Sequence, residues 1–599
     1  MATTNLGTLL LSELQSLSTE ARRKHPDVKE AAERVIVILR GIKSTTSQQI
    51  ASELAKSEEV IRPFVLACKT NNQRLTVAAV QCMQLLVSHQ AISPGSIRES
   101  LNTLNSVLSY GVDTQVKILQ MVLPLVTGYD GSVYGETLVE AFHLCIALQQ
   151  SRDPVVSNTA AAILRQMVVT VFDRVVAEDR ELNKKDGDND KLDDLCLLAA
   201  DSDTIFIRDS SMDKGLVLEL IESVLANHAH VVAQHTAMAQ ILRERLAPFF
   251  VNFFAEKALF TLVVRCIRIV WLFIRDLHQD MQPECEIFLS VLTRLVDPGG
   301  SGNIFGSGLP LFYRVLAMEV VRNILRDANL LHQLYLQYDG QLGASSDGSS
   351  EDREACHVVR DMVTAIGKVA SEKPDIRTMN ADGIPNAFAD GQAAEFGASG
   401  SAASAGNFGA GSGGAPLPNA VAGKINAEAL NVAKMSQIGL HNSSMRAEMR
   451  DLLDKNDPPN IPDTYMFYLA LSAITDAVDG LAANVLSICS KNLTCLVAMT
   501  RTDAKSASHH VKKTVVNITE PALNAPLPKD ERVRAVNGFA AHTWPVLLSA
   551  YAFFLGVRLD DALFDQVINT LQKLVQMCGA LGIDEARNAI LTLMCRNCL

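Results

Sequence analysis

Apolar residues recur at helical spacing along the first 180 residues, in patterns of about 12 to 20 residues separated by short breaks. Leu6, Leu10, Leu14 and Leu17 share one face of the first helix that this spacing predicts. A second stripe is formed by Leu75, Ala78, Ala79, Cys82, Leu85 and Leu86. Helices of this length with short connections stack as antiparallel hairpins. The pattern therefore predicts an all-α fold.

The breaks between these patterns carry residues that begin helices. Pro63 stands where a first helical turn tolerates proline. Asn71 and Asn72 supply a turn followed by an N-cap for the next helix.

Length and composition favour an array of helices over a fold with a single hydrophobic core. The chain has 599 residues, of which 48% are hydrophobic and 5% aromatic. It is too long for one hydrophobic core and too apolar for a disordered chain. Its 34 glycines and 20 prolines are few for an all-β architecture. Because helix pairs recur about every 40 residues, we predict an elongated armadillo- or HEAT-like helical solenoid.

A glycine-rich stretch interrupts the helical pattern. Ten of the 34 glycines fall between Gly383 and Gly423, in a segment without periodicity that is typical of a flexible linker. Upstream, a mixed-charge break at 180–194 separates two helical blocks. We predict four regions: a helical domain at 1–180, a second at 190–372, the linker at 373–428 and a third helical domain at 429–599, which we expect to be truncated.

The charge and the cysteines restrict the class of protein. The formal net charge is −12, which disfavours nucleic-acid binding and a charge-driven hold on an anionic membrane. Twelve cysteines lie mostly inside apolar patterns, as buried thiols of a reducing compartment do. The first residues lack the basic region and cleavage site of a secretory signal. We therefore predict a cytoplasmic protein.

Two apolar stretches need comparison with a membrane-spanning helix. Residues 260–274 carry two arginines and are shorter than the roughly 20 residues that cross a bilayer, so we predict a buried helix there. Residues 536–557 have no charged side chain, but Asn537, His542 and Pro545 favour a loop followed by a core helix over a membrane span.

The cysteines and histidines that could bind a metal ion lack the further ligands that a metal site requires. Cys595 and Cys598 form a CxxC pair, but no second pair or nearby histidine completes a zinc site. His228, His230 and His235 cluster in sequence, and we interpret them as surface or helix-terminal histidines.

Other motifs also favour a protein without catalysis. The glycine runs lack the strand and the GK[ST] ending of a phosphate-binding loop, and no hydrolase motif is present. Lys505, His509, His510, Lys512 and Lys513 form a basic spot that could meet anionic lipid or an acidic partner. A solvated loop is the simpler interpretation. We predict no cofactor, no metal site and no catalytic residue.

Several blocks of sequence resemble, in order, the Mon-two family, which are large trafficking scaffolds related to the Arf guanine-nucleotide exchange factors. They include PFVLACKTNNQRLTVAAVQCMQLLVSH and YRVLAMEVVRNILRDANLLHQLYLQYD. The blocks lie at 63–89, 158–180, 283–297, 313–339, 449–465 and 577–595. Their order along almost the whole chain makes the resemblance more specific than any one block.

The resemblance implies a domain plan. A DCB domain (dimerisation and cyclophilin-binding) would cover about the first 180 residues, a HUS domain the region 190–372, and a first downstream helical domain the region after the linker. Related exchange factors have an Asn-Tyr-Asp-Cys run in the HUS domain, where this chain has Gln337, Tyr338, Asp339 and Gly340. Nothing in the chain resembles the catalytic exchange domain, so the resemblance implies that it is not an enzyme.

The function implied is that of a peripheral-membrane scaffold in vesicle-mediated protein transport between the trans-Golgi and endosomes. A GTP-loaded Arf-like small GTPase would recruit it through the DCB domain, so that its membrane association is indirect. Further implied partners are a Dopey-family protein, phospholipid flippase machinery and a second copy in a homodimer. The alternatives are an Arf exchange factor whose catalytic domain lies outside this chain, and an importin- or adaptor-like solenoid.

Five residues are candidates for interaction: Asn158, Arg165, Arg174, Tyr338 and Asp339. The competing interpretation is structural. Asn158 with Thr159 would cap a helix, and Asp339 would close the last turn of its own helix. On the helix at 158–180, a core face is predicted for Ile163, Met167, Val171 and Val175, with Arg165, Arg174 and Glu178 on the other sides.

Overall fold

The computed structural model describes most of the chain and divides it into two compact units. The described residues are 6–21, 24–43, 46–129, 132–182, 212–297, 299, 309–340, 357–372, 439, 443–501, 531–557 and 559–598. The units meet in sequence between Phe250 and Val251. Throughout the described part the regular structure is helical, without a β-strand, which confirms the all-α prediction.

The first unit consists of stacked helices in two layers. Its helices are α1 (Leu6–Ala21), α2 (Pro26–Gly41), α3 (Ser47–Leu54), α4 (Arg62–Cys68), α5 (Gln73–Ser88), α6 (Ile97–Ser106), α7 (Val112–Gly128), α8 (Gly135–Gln149), α9 (Pro154–Leu182), α10 (Lys214–Gln234), α11 (Thr236–Ile241) and α12 (Ala247–Ala255), in which the division falls. The helices from α4 to α9 alternate between two layers: α5, α7 and α9 pack in turn in one layer, and α4, α6 and α8 in the other. The next described helix, α10, packs on α9.

Neighbours within a layer run in the same direction. Gln84 on α5 donates to Gln120 on α7 at 2.7 Å, and one turn earlier Lys117 reaches Gln81 at 3.5 Å. The later residue of α5 thus meets the later residue of α7, so the two helices are parallel. They can be parallel because α6, in the other layer, brings the chain back between them. This alternation is that of a helical solenoid. Whether its repeats are of the armadillo or the HEAT type stays a prediction.

The local signals at the start of the chain are confirmed. Leu6, Leu10, Leu14 and Leu17 are all buried on one face of α1. Pro63 lies in the first turn of α4. Asn72 caps α5 by accepting a hydrogen bond from the backbone N–H of Arg74 at 3.1 Å, and Asn71 before it adopts the left-handed conformation at φ 54°.

The second unit has the same alternation. Its helices are α13 (Phe260–Leu277), α14 (Gln282–Val296), α15 (Leu311–Arg326), α16 (Ala328–Leu334), α17 (Val358–Ser371), α18 (Tyr465–Arg501), α19 (Glu531–Leu555), α20 (Asp561–Leu581) and α21 (Asp584–Cys598). One layer is α13, α15, α18 and α20; the other is α14, α17, α19 and α21.

The helices before and after the glycine-rich segment belong to this one unit. The predicted linker at 373–428 lies outside the described residues. Across it, α18 packs directly on α15, where Arg322 pairs with Asp476 at 3.2 Å, and α19 packs on α17. The described helices on the two sides of the segment therefore belong to one stack, and the four domain boundaries stay predictions.

One secondary-structure prediction is wrong. The loop expected before a core helix at 536–557 is absent from this described region, because α19 continues through Pro545 as a single helix. Pro545 removes one backbone hydrogen bond, but α19 packs against α17, α18, α20 and α21 along its length, and these contacts hold it helical. The buried helix predicted at 260–274 is confirmed as α13.

By length and composition alone, four helical stretches of the described chain would suffice to cross a membrane. They are Pro154–Ala177, Lys214–Gln234, Tyr465–Ile488 and Arg532–Leu555. They coincide with α9, α10, α18 and α19, each of which packs on neighbouring helices of its layer.

Gly538 on α19 lies at a close contact across the insertion. A Cβ atom there would lie 2.7 Å from the Tyr335 hydroxyl oxygen and 3.2 Å from its Cε1 atom. That hydroxyl also lies 3.1 Å from His542 Nδ1. We expect Gly538→Ala to lower the free energy of unfolding of the second unit by about 1–3 kcal/mol, because the overpacked contact must open. Urea denaturation measures this change.

Gly579→Ala on α20 is the matched control. Its new Cβ would lie 3.6 Å from the nearest atom, Arg587 Cδ, which is an ordinary contact. We expect this variant to be neutral or to gain up to about 1 kcal/mol from the better helix propensity of alanine. Equal unfolding free energies for the two variants would contradict the close contact at Gly538.

Candidate interaction sites

Two polar pairs join α9 to α10 in the first unit. The Arg165 guanidinium pairs with the Glu219 carboxylate, with Nη2 3.1 Å from Oε2. Two turns further on, Asp173 Oδ1 lies 2.9 Å from His228 Nε2. The residue numbers of the two pairs increase in the same direction on both helices, so α9 and α10 are parallel. Arg165, predicted as an interaction candidate, is therefore engaged within the unit.

Arg174 is also a structural residue. Its Nη1 donates to the backbone carbonyl of Val133 at 3.3 Å, and its Nη2 contacts the carbonyl of Val126. These carbonyls lie at the last turn of α7 and in the loop that follows it. Carbonyls at a helix end have no intrahelical donor, so Arg174 ties α9 to the end of α7.

Asn158 does not cap a helix, and that interpretation is wrong. The capping residue is Asp153, whose Oδ1 accepts from the N–H groups of Val155 and Val156 at 2.9 and 3.3 Å. Asn158 lies one turn inside α9 with its side chain exposed, and the Thr159 hydroxyl bonds the carbonyl of Val155. The sequence offered two capping types within six residues, and the earlier one begins the helix.

The predicted core face of α9 is confirmed for most of its members. Met167, Val171 and Val175 are buried, whereas Ile163 is half-buried. The structure adds Leu164 to the buried set. Since α9 packs on α7, α8 and α10, its buried stripe is wider than that of a helix with one neighbour.

Asp339 caps a different helix from the one expected. It lies in the π-helical turn Tyr335–Asp339 and is 3% exposed. Its two carboxylate oxygens accept from the N–H groups of Val359 and Arg360 at 3.2 and 3.0 Å. The expectation that it closes its own helix is wrong, because the donors that it satisfies are those at the start of α17. Burial raises the pKa of Asp339. The hydrogen bonds from these two N–H groups lower it, but the effect of burial is larger.

Tyr338 holds the neighbouring helix. Its hydroxyl donates to the carbonyl of Gln282, at the start of α14, at 2.8 Å and accepts from Gln337 Nε2 at 2.9 Å. Gln337 Nε2 also reaches the carbonyl of His278 at 2.9 Å. The Gln-Tyr-Asp run thus fastens the π turn to the start of α14 and to the start of α17. Its visible role is positional.

The histidine cluster divides into separate roles. His228 is buried beside Phe172 and lies at a kink of α10 with non-helical dihedral angles, so its interpretation as a surface or terminal residue is wrong. His230 is exposed, and His235 ends α10. Among the described residues no three potential ligands come close enough to hold a metal ion. Cys595 is an exposed free thiol.

A cavity of about 400 Å³ opens in the first unit. It is lined by the start of α3, the end of α5 and the end of α7: Ser47, Gln48, Val87, Ser88, His89, Gln90, Pro124, Thr127 and Gly128. The hydroxyls of Ser47 and Ser88 both bond to backbone groups. The Thr127 hydroxyl likewise donates to the carbonyl of Leu123 at 3.0 Å. The cavity is a polar recess.

The structure shows a buried carboxylate that the sequence reasoning missed. Glu319, on α15, is 0% exposed. Its Oε1 accepts from the N–H of Met449 and from the hydroxyl of Tyr465, both at 2.8 Å, and its Oε2 accepts from the N–H of Arg450 at 3.0 Å. It thereby joins α15 to the 3₁₀ turn Met449–Asp451 and to the first residue of α18.

Burial dominates the protonation of this carboxylate. It raises the pKa of Glu319 to about 7, although the three donors lower it, and the charge of Glu448 raises it further. A signal for the site was present in the sequence. Glu319 is the one acidic residue in the apolar run of α15, where Leu316, Val320 and Ile324 occupy the same core. A charge at such a position requires a buried partner.

Two family models match the chain. Residues 1–179 match the DCB domain, described as the Mon2/Sec7/BIG1-like dimerisation and cyclophilin-binding domain. Residues 191–346 match the Mon2/Sec7/BIG1-like HUS domain. The matches do not include a catalytic exchange domain of the Sec7 type.

Curated relatives match along nearly the whole chain. Protein MON2 homolog of Xenopus laevis is 27% identical over 98% of this chain and 34% of its own length. The human protein of the same name is 27% identical over 98% of this chain and 35% of its own. Brefeldin A-inhibited guanine nucleotide-exchange protein 3 of Arabidopsis thaliana is 27% identical over only 21% of this chain and 8% of its own. The chain thus spans about a third of the length of the MON2 homologues that it matches, and it belongs to the Mon2 family of DCB–HUS proteins.

Proposed function

We propose that this chain is a non-enzymatic scaffold of vesicle-mediated protein transport between the trans-Golgi and endosomes. An Arf-like small GTPase in its GTP form recruits it to these membranes from the cytoplasm through the DCB domain. The observation that carries the proposal is the ordered match to DCB and HUS domains and to MON2 homologues along the chain.

The fold supports a scaffold in two ways. Stacked helix pairs present an extended surface to partners and require no cofactor. The buried polar groups named above bond to one another and to backbone atoms of the same unit, so they serve packing and are not directed at a substrate. The net charge of −12 also favours recruitment by a membrane-bound protein over direct binding to anionic lipid.

We expect the GTPase interface to include the first turns of α9. Val155 is 60% exposed there, and Asn158 follows three residues later, so the two side chains share a face. Val155→Arg combined with Asn158→Arg should weaken capture of the chain by the GTP-locked GTPase at least about tenfold, because two buried charges would be left unpaired. A pull-down with GTP-locked and GDP-locked GTPase measures this.

Val37→Arg is the matched control for this experiment. Val37 is 69% exposed on α2, so its replacement introduces one arginine at another exposed valine of the first unit. It should bind as the unchanged chain does. Equal capture in both nucleotide states would contradict the recruitment step, and full capture of the double variant would contradict the interface.

The remaining partners follow from the same family assignment. We propose that the chain also assembles with a Dopey-family protein and with phospholipid flippase machinery, and that it forms a homodimer. The description of the matched DCB domain as a dimerisation domain supports the last step. Light scattering of the purified chain tests it: a mass of twice 65.0 kDa supports the dimer, and a monomer contradicts it.

The alternative is an Arf exchange factor with its catalytic domain outside this chain. The observation in its favour is the partial match to a plant protein named as a guanine nucleotide-exchange protein. Nucleotide release from Arf-like GTPases, measured with the whole protein, separates the two proposals. Acceleration would support the exchange factor, and its absence would support the scaffold.

A further inference from the structure

We propose that Glu319 is a proton-linked latch, which fastens the segment after the glycine-rich insertion, residues 443–465, onto α13 and α15 and holds it more tightly in mildly acidic than in mildly alkaline solution. The proposal concerns a conformational property of the second unit and does not depend on the proposed function.

Few side chains of the segment are buried. Between Ser443 and Tyr465, Met449 is the one buried side chain. Residues 452–464 form no helix, and all their side chains are exposed or half-buried. Such a segment gains little from apolar burial. Its position therefore depends on the polar groups that hold its two ends.

Glu319 binds the segment on both sides of its irregular stretch, residues 452–464. The N–H groups of Met449 and Arg450 precede the irregular stretch, and the hydroxyl of Tyr465 follows it. Opening the latch leaves the carboxyl in water and the segment without its central acceptor. A second contact, between the hydroxyls of Ser443 and Thr464 at 2.7 Å, joins the first residue of the segment to the last residue of the irregular stretch, but it does not reach α15.

The charged groups around Glu319 offset one another. Arg322 pairs with Asp476 at 3.2 Å, and Arg450 pairs with Glu448 at 2.7 Å. Arg268 pairs with Asp451 at 3.3 Å. The groups on the surrounding elements are Arg268 on α13, Arg322 on α15, Glu448, Arg450 and Asp451 in the segment, and Tyr465 and Asp476 on α18. Three arginines thus meet three carboxylates, and the charge of Glu319 is in excess.

The difference in the pKa of Glu319 between the closed and the open state sets the direction of the pH effect. Burial raises the pKa of Glu319 to about 7 in the closed state, whereas in the open state the carboxyl is solvated and titrates in its ordinary range. The closed state therefore binds the proton more tightly. Its stabilisation is complete below the ordinary pKa and is lost as the pH rises through about 7.

Hydrogen exchange of the latch amides tests the proposal. We expect the protection of the Met449 and Arg450 amides, corrected for intrinsic exchange, to be about tenfold greater at pH 6 than at pH 8, since opening releases one proton. The Leu563 amide, which Asp560 caps at 2.8 Å in the same unit, is the internal reference and should show a smaller ratio.

Glu319→Gln removes the titration but keeps the size of the side chain. In this variant the ratio of protection between pH 6 and pH 8 should fall to about one, because no proton is exchanged. Glu448→Gln, a neighbouring carboxylate in the same cluster, should retain most of the ratio. If Glu319→Gln does not fold, the ratio of protection between pH 6 and pH 8 in the unchanged chain tests the proposal by itself. Equal protection at both pH values, or greater protection at pH 8, overturns the proposal, as does a Glu319→Gln protein that keeps the ratio.

Discussion

Replacing Glu319 with alanine is expected to lower the free energy of unfolding of the second unit by about 2–4 kcal/mol at pH 6. Three buried donors, from Met449, Arg450 and Tyr465, lose their shared acceptor, and each unpaired buried donor costs about 1–3 kcal/mol. Removal of the desolvated carboxyl offsets part of this cost. Urea denaturation of the whole chain, followed by fluorescence and by exchange at α18, measures the change.

Glu448→Ala is the control for this prediction. Glu448 lies in the same cluster but is 24% exposed, and it pairs with Arg450, which is also partly exposed. Its loss should cost under about 1 kcal/mol, as is usual for solvent-accessible ion pairs. Similar midpoints for the two variants would show that the donors around Glu319 find water when the carboxylate is removed, and the prediction would be wrong.

Truncating Phe273 to alanine is expected to cost about 3–5 kcal/mol, because a fully buried aromatic ring leaves a cavity that stacked helices fill only in part. Phe273 on α13 is 0% exposed. Its ring meets that of Phe288 on α14 edge to face, with centroids 5.0 Å apart. This contact joins the two layers at the first helix pair of the second unit, so thermal denaturation of that unit should occur at a lower temperature.

Phe564 supplies a matched truncation on α20. It is 37% exposed, so Phe564→Ala removes the same ring without opening a closed cavity. Its expected cost is under about 1 kcal/mol. If both variants melted together, the burial at α13 would not govern the stability of the unit.

The helices themselves were largely predictable because their apolar period is local information. The buried helix predicted at 260–274 lies within Phe260–Leu277, and Asn72 is identified as a cap from its neighbours in sequence alone. An N-cap acts within three residues, so a short window contains all its partners. The same reasoning is wrong where two capping residues compete, as Asp153 and Asn158 do.

Long-range partners were not predictable in this way. Asp339 caps a helix that begins 19 residues later, after a segment outside the described residues. Glu319 meets its donors 130 and 146 residues further along the chain. Arg165 is engaged by a carboxylate of α10, and Arg174 by carbonyls at the end of α7 and in the loop that follows it. Their side-chain chemistry was visible, but their partners depend on which helices pack together.

In the sequence, the helical period of apolar residues and the lack of strand patterns were sufficient to predict stacked amphipathic helices, because the apolar face of each helix must be covered by another. Which helix packs on which is visible only in the tertiary structure. Whether a glycine-rich segment separates two packing units depends on the contacts of the helices on either side. In this protein α18 and α19 pack on α15 and α17. A buried acid such as Glu319 is tolerated only because the folded chain brings three donors to it, two from the turn Met449–Asp451 and one from α18.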